Sequence, residues 1–163
     1  MATGRVHLLY GLAGSGKTTL ARALCADGKA VRFTLDEWMI RLYPELPYDA
    51  AEYGPRTEIV KDLIWSVAEQ VLRSGADVVL DWNSWSRARR AWAIQRAAAI
   101  GGQVILHHIS ASVEQATAQA EQRGRDSRSV YAHRIDREGI EHLASIMEPP
   151  SEAEGLTVIR VDR

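Results

Sequence analysis

Ile59, Val60, Leu63, Ile64, Val67, Ala68, Val71 and Leu72 return every three or four residues, an apolar stripe with the period of an α-helix. The stripe stops at Ser74-Gly75, where glycine suits a left-handed helix cap. Short apolar runs stand around it. Arg5–Tyr10, Ala30–Leu35, Asp77–Asp81, Gln103–Ile109 and Leu156–Val161 have the length and residue types of strands. Helical patterns separate them. One begins at Thr18 and reaches Cys25. A short segment from Glu37 to Leu42 runs into a loop holding Pro44, Pro47, Gly54 and Pro55. Another helix is expected from about Ser86 to Ile100, closed by Gly101-Gly102. Ser112-Val-Glu-Gln115 is a capping box that opens the next. That helix meets a polar, arginine-rich break at Glu121–Arg128, and a last one is expected from about Ala132 to Met147, before Pro149-Pro150.

Strand and helix alternate almost to the end. This predicts an α/β fold, a parallel sheet with helices on both faces. Right-handed crossovers then gather the carboxyl ends of the strands along one crevice. No repeat or low-complexity linker interrupts the pattern. At 163 residues the chain is expected to form a single domain over 1–163.

The turn after the first strand carries the clearest chemistry. Gly11-Leu-Ala-Gly-Ser-Gly-Lys-Thr18 fits the phosphate-binding pattern G-x-x-x-x-G-K-[ST], and it lies between a strand and a helix, as that pattern requires. Glycines let the backbone curl so that N–H groups converge on phosphate oxygens. Lys17 is placed to reach the β- and γ-phosphates, and the Thr18 hydroxyl to ligate Mg²⁺. The helix adds the partial positive charge of its N-terminus. The predicted nucleotide-binding set is Gly11, Ala13, Gly14, Ser15, Gly16, Lys17, Thr18 and Thr19.

Composition narrows the partners. Lys+Arg number 20 and Asp+Glu 21, a net charge of −1. A general polynucleotide-coating protein would be more basic. The single cysteine, Cys25, allows no internal disulfide and is expected to pack in the first helix. There is no signal peptide and no apolar run of membrane-spanning length, so the chain is expected to be cytoplasmic, without membrane contact. Of the basic residues 17 are Arg and 3 Lys, so any one arginine says less than usual.

Two acids end strands on the crevice side. Asp81, after Val78-Val79-Leu80, holds the position of a carboxylate near the Thr18-bound metal. Asp36, after the second strand, is placed to orient an acceptor hydroxyl and take its proton, or to cap the segment that follows. Arg123, Arg125 and Arg128 flank Gly124 between two helices. There an arginine, Arg123 first, can close over the phosphates. Arg87 and Arg90 are candidate substrate or phosphate holders. Trp38, Trp82 and Trp85 flank the two acids and are candidate pocket walls. Trp65 and Trp92, on helices, are expected to pack. Adjacent His107 and His108 point to opposite strand faces and cannot chelate one metal together.

These segments together resemble small P-loop kinases of the zeta-toxin, chloramphenicol phosphotransferase and polynucleotide kinase type. Gly11–Thr18 looks like their phosphate loop, Asp36-Glu37-Trp38 like their catalytic aspartate, and Val78–Asp81 with Trp85–Arg90 like their segment after the third strand. Arg123–Arg128 looks like an arginine-bearing lid, spanning roughly 122–132, and Glu148–Gly155 is similar to their C-terminal turn. The resemblance implies a three-layer P-loop NTPase fold with a five-stranded sheet of order 2-3-1-4-5. It also implies ATP and Mg²⁺, with γ-phosphoryl transfer to a hydroxyl. The acceptor stays open: an antibiotic, a nucleotide sugar, a nucleoside or a nucleic-acid 5′ end. A small-molecule kinase is the leading expectation, a polynucleotide 5′-hydroxyl kinase the second, and a non-catalytic nucleotide switch or partner-binding module the third.

Overall fold

The computed structural model describes residues 2–125 and 135–162. Five strands form one parallel sheet: β1 (Arg5–Tyr10), β2 (Ala30–Phe33), β3 (Asp77–Asn83), β4 (Gln103–Ser110) and β5 (Thr157–Asp162). Their order is β2-β3-β1-β4-β5, as the family resemblance implied. The helices are α1 (Lys17–Leu24), α2 (Leu35–Leu42), α3 (Tyr53–Arg73), α4 (Arg87–Ala99), α5 (Val113–Arg125) and α6 (Arg137–Ile146). Strand alternation divides the core in two. Val6, Leu8, Tyr10, Val78, Leu80 and Leu106 face the larger core, with Ile64, Trp65 and Ala68 of α3 and Ala93 and Ala97 of α4. Leu9 and Val79 face the other way, against Ala21 of α1.

Several boundaries differ from those expected. The second strand ends at Phe33, because Thr34 is the extended N-cap of α2 and Leu35 turns into the core. Gly54 and Pro55 belong to the first turn of α3 and not to a loop, a place where proline's missing N–H costs nothing. The α3 stripe is rotated. Val60, Ile64, Ala68 and Leu72 are buried, but Ile59, Leu63 and Val67 are exposed. Their place is taken by Trp65, edge-on to Trp92 at 5.8 Å, and by Lys61, whose ammonium lies 4.7 Å from the Trp92 ring centre. Cys25 is the half-buried C-cap of α1. The helix α5 runs unbroken through Gly124 to Arg125, so the expected break at Glu121 is absent as far as Arg125. The capping box at its start is formed: the Gln115 N–H donates to Ser112 Oγ at 3.1 Å, and the Ser112 N–H to Gln115 Oε1 at 2.9 Å.

Candidate active site

The phosphate loop is built as its glycines require. Gly14 and Gly16 have φ of 82° and 98°, a region that side chains rarely enter. Gly16 is the N-cap of α1 and provides no side-chain cap, and the first turn of α1 contains no acid. No carboxylate of the helix itself therefore quenches its positive end. A Cβ at Gly14 would also collide with the Ala116 carbonyl of α5 and press on the Ala120 methyl. The loop and α5 thus touch through glycine and two alanines. Asn83 adds a tie that sequence reasoning missed: its Nδ2 donates to the Gly11 carbonyl at 2.7 Å. The signal available was its place two residues beyond Asp81.

Lys17 donates to the carbonyls of Gly11 and Leu12, at 3.0 and 2.7 Å. Although the side chain as a whole is half-buried, its ammonium is desolvated inside the loop. Burial lowers its pKa to about 8; Asp81 and Asp36 raise it and Arg123 lowers it. Two carboxylates and an arginine from three distant parts of the chain therefore act on one ammonium.

Asp81 is buried. It does not end its strand, which continues to Asn83. The β1–β3 register shifts there, from Leu8 opposite Leu80 to Leu9 opposite Asn83. Thr18 Oγ1 donates to Asp81 Oδ1 at 3.4 Å. The other carboxylate oxygen is held by Arg32, with Nε at 2.7 Å and Nη2 at 2.6 Å from Oδ2. Arg32 is a second residue that sequence reasoning missed, signalled only by a charge in the middle of a short strand. One hydroxyl and the carboxylate oxygen that it faces fit Mg²⁺, which takes few protein ligands beside phosphate and water.

Asp36 lies in the first turn of α2 and not at a strand end, and the N-cap of that helix is Thr34. It is exposed. Its charge reaches Tyr53 as well as Lys17: burial, then Asp36 and Tyr48, push the Tyr53 phenol up to about 12. The Tyr48 and Tyr53 rings stand 5.0 Å apart at 54°. Trp38 packs on the main core and meets Phe33 edge-on at 6.2 Å.

Arg123 and Arg125 are exposed in the last turn of α5. Arg123 follows Ala116 and Ala120 by seven and three residues, so it shares the face that touches Gly14. Arg125, five residues beyond Ala120, lies about 140° round the helix from that face. Arg128 and the rest of the expected lid, 126–132, fall outside the described residues.

Other candidates are placed elsewhere. Trp82 is buried in the main core, edge-on to Trp92 at 6.3 Å, so it is no pocket wall. Because Asp81 faces the phosphate loop, alternation turns Trp82 to the opposite side. Trp85 is half-buried, with the Arg89 guanidinium 5.4 Å from its ring centre. Arg90 is wholly buried and faces no substrate. Its Nε and Nη2 pair with the Glu154 carboxylate at 2.7 and 3.1 Å, and its Nη1 donates to the carbonyls of Ser84 and Glu148. It binds α4 to the C-terminal turn. Arg87 is exposed, and its backbone N–H donates to Glu148 Oε2 at 2.7 Å. His107 and His108 do point apart. His107 stacks on His7, with ring nitrogens 2.9 Å apart, and His108 meets Tyr10 edge-on. Among the described residues no cluster of three or more His, Cys, Asp or Glu could hold a metal ion. No described helix is long and apolar enough to cross a membrane.

Solved structures share this fold. A protein of Chloroflexus aurantiacus with a provisional kinase name superposes with a TM-score of 0.74 at 19% identity, over 98% of this chain and 88% of that one. A chain of the Pnkp1/Rnl/Hen1 RNA repair complex gives 0.70 at 19% identity, over 89% of this chain but only 44% of that one. The APS kinase of Mycobacterium tuberculosis, in complex with AMPPNP and APS, gives 0.60 at 18% identity, over 99% and 90%. No curated protein matches the sequence. A family model described as AAA domain matches residues 6–150. With that match covering most of the chain, and the phosphate loop formed within it, the protein belongs to this AAA domain family.

Proposed function

We propose that this protein is an ATP-dependent kinase that moves the γ-phosphoryl group of ATP to a hydroxyl of a small molecule. The observation that carries the reading is a formed phosphate loop with the buried Asp81 facing its Thr18 hydroxyl at 3.4 Å, its Lys17 ammonium feeling the charges of Asp36 and Arg123 as well. A nucleotide-binding scaffold needs the lysine and the loop. It has no need of a second carboxylate on the open side.

In this reading Lys17 leaves its own loop carbonyls for the β- and γ-phosphates. Thr18 and Asp81 Oδ1 would hold Mg²⁺, which neutralises charge developing on the phosphate oxygens. Arg32 fixes the Asp81 rotamer. Asp36 accepts the proton as the acceptor oxygen bonds to the γ-phosphorus; the bridging P–O bond breaks and ADP leaves. Arg123 stabilises the transferring group. The chain works as one domain.

The resemblance to zeta-toxin, chloramphenicol phosphotransferase and polynucleotide kinase types supports this reading, and so do the kinase names among the similar folds. Likeness of fold does not select the acceptor. The test is incubation with ATP-Mg²⁺ and a panel of hydroxyl compounds, followed by product mass, for the wild type and Asp36→Asn. Phosphorylated product from the wild type and almost none from the variant is the expected result. Equal product from both would remove Asp36 as the base.

A further inference from the structure

Gly11, the first residue of the phosphate loop, is wedged between the ends of two strands. On the β4 side there is no room: a Cβ on it would stand 2.9 Å from the Ile109 carbonyl oxygen and 2.7 Å from Ser15 Oγ. On the β3 side stands Asn83, whose Nδ2 donates to the Gly11 carbonyl at 2.7 Å. A carbonyl only accepts, so the NH₂ end of the amide must face it, and this fixes which way the side chain is turned. The backbone beneath the amide is held as well. The Ser84 N–H donates to the Leu9 carbonyl at 2.8 Å, and Arg89 Nη1 to the Asn83 carbonyl at 3.3 Å.

The Asn83 bond is of little use to the nucleotide-free protein. The Gly11 carbonyl already accepts from Lys17 Nζ at 3.0 Å, so it would stay paired without Asn83. The other end of the amide is a cost: Oδ1 is buried without a hydrogen-bond partner. An unpaired buried acceptor costs at least as much as an ordinary hydrogen bond gains, so the amide as a whole does not stabilise the resting loop. Its use begins when Lys17 turns to phosphate. The ammonium then leaves the carbonyls of both Gly11 and Leu12, and Gly11 keeps a donor only because Asn83 is there.

We propose that Asn83 is a positioning residue for nucleotide binding, one that keeps the Gly11 carbonyl paired and the first turn of the loop in place while Lys17 exchanges loop carbonyls for phosphate oxygens. This rests on the reading of Gly11–Thr18 as the seat of the nucleotide phosphates. Asn83 acts through Gly11 and Lys17 and touches neither substrate in this role. It lowers the cost of releasing Lys17 equally in the ground state and the transition state, so its effect belongs to affinity and not to the transfer step.

The experiment compares the full chain with its Asn83→Leu, Asn83→Ala and Asn83→Asp variants. Leucine keeps the branched shape and removes both the donor and the unpaired oxygen, and aspartate keeps the shape but cannot donate. ADP and ATP binding is measured by titration calorimetry, and the stability of the nucleotide-free protein by its denaturant midpoint. Asn83→Leu should raise the nucleotide Kd about tenfold, the scale of one hydrogen bond lost from a buried carbonyl, with a midpoint equal to or above that of the wild type. Asn83→Asp should weaken binding further. In steady-state turnover the KM for ATP should rise by the same factor while kcat stays within about twofold. Asn83→Ala serves where leucine does not fit, and the same rise in Kd is expected of it. An unchanged Kd in both variants overturns the proposal, whatever happens to stability or kcat. A midpoint that falls in step with affinity makes Asn83 a plain structural tie and overturns it too. If the wild type itself binds neither nucleotide, the reading of the loop falls, and this inference with it.

Discussion

The two walls of the crevice are made differently. The donor wall is tight and basic: a glycine loop locked between Asn83 and α5, with the Lys17 ammonium desolvated inside it. The other wall carries Asp36, exposed in the first turn of α2, on a segment rich in acids and aromatic rings. Phosphate chemistry is the same in every nucleotide, so the donor wall can be rigid and stereotyped. An acceptor hydroxyl comes on many molecules, and the wall that meets it is built from side chains on a connecting segment, where function usually varies. Substitutions on the donor wall should therefore abolish turnover with every acceptor. Substitutions on the acceptor wall should change which acceptor is used.

The sharpest way to break this comparison is Lys17→Ala. Turnover should fall by roughly 10³-fold, on the scale of removing a preorganised charge from a transferring phosphoryl group. The loss should be the same for every acceptor, measured by steady-state kinetics. An acceptor-dependent loss would mean that Lys17 also belongs to the other wall.

Next comes Arg90, which sits on neither wall. Arg90→Ala leaves the buried Glu154 side chain without its ion-pair partner, held only by Ser151, and should destabilise the fold by about 3 kcal/mol in denaturant unfolding. Arg87→Ala, at an exposed position, should change stability by less than about 0.5 kcal/mol. Equal effects would contradict the clamp.

Asp36→Asn tests the acceptor wall where it meets the chemistry. Transfer should drop by roughly 10²-fold with ATP affinity kept, the usual scale for a positioned proton acceptor. Arg123→Ala should follow, lowering kcat by about tenfold or more and ATP binding by less. Equal loss in both parameters would make Arg123 a plain phosphate anchor.

The donor wall was legible in sequence because backbone conformation carries it, and glycine spacing reports backbone conformation directly. Gly14 and Gly16 do adopt the positive φ that the pattern implies. The acceptor wall was half legible. Asp36 reads in sequence as the acid that ends the second strand, but Leu35 starts the helix because it packs in the core, and burial of a single leucine is not written in local spacing. Trp82 could have been excluded by alternation alone, since its neighbour Asp81 faces the loop. Arg90 and Arg32 could not have been resolved. Their partners, Glu154 and Asp81, lie 64 and 49 residues away, and in a chain this rich in arginine nothing local distinguishes a buried one from a solvated one.

The smallest effect sharpens the donor wall through pH. Burial holds the free-protein pKa of Lys17 at about 8, below its ordinary 10.5. The folded-state value is the lower one, so the cost of burying the charge is fully present below pH 8 and is relieved as pH rises from 8 toward 10.5. The Lys17 contribution to the stability of the nucleotide-free protein should therefore grow with pH across that window. Nucleotide affinity should move the opposite way, because triphosphate binds the charged ammonium. The charged fraction falls from about one half at pH 8 to about one eleventh at pH 9, so affinity should fall about fivefold between those two values. Titration calorimetry at several pH values would show the slope, and Lys17→Arg, charged throughout, should lack it. A flat profile in the wild type would mean that the ammonium is solvated in the free loop. The donor wall would then be as open as the acceptor wall, and the contrast between them would rest on charge alone.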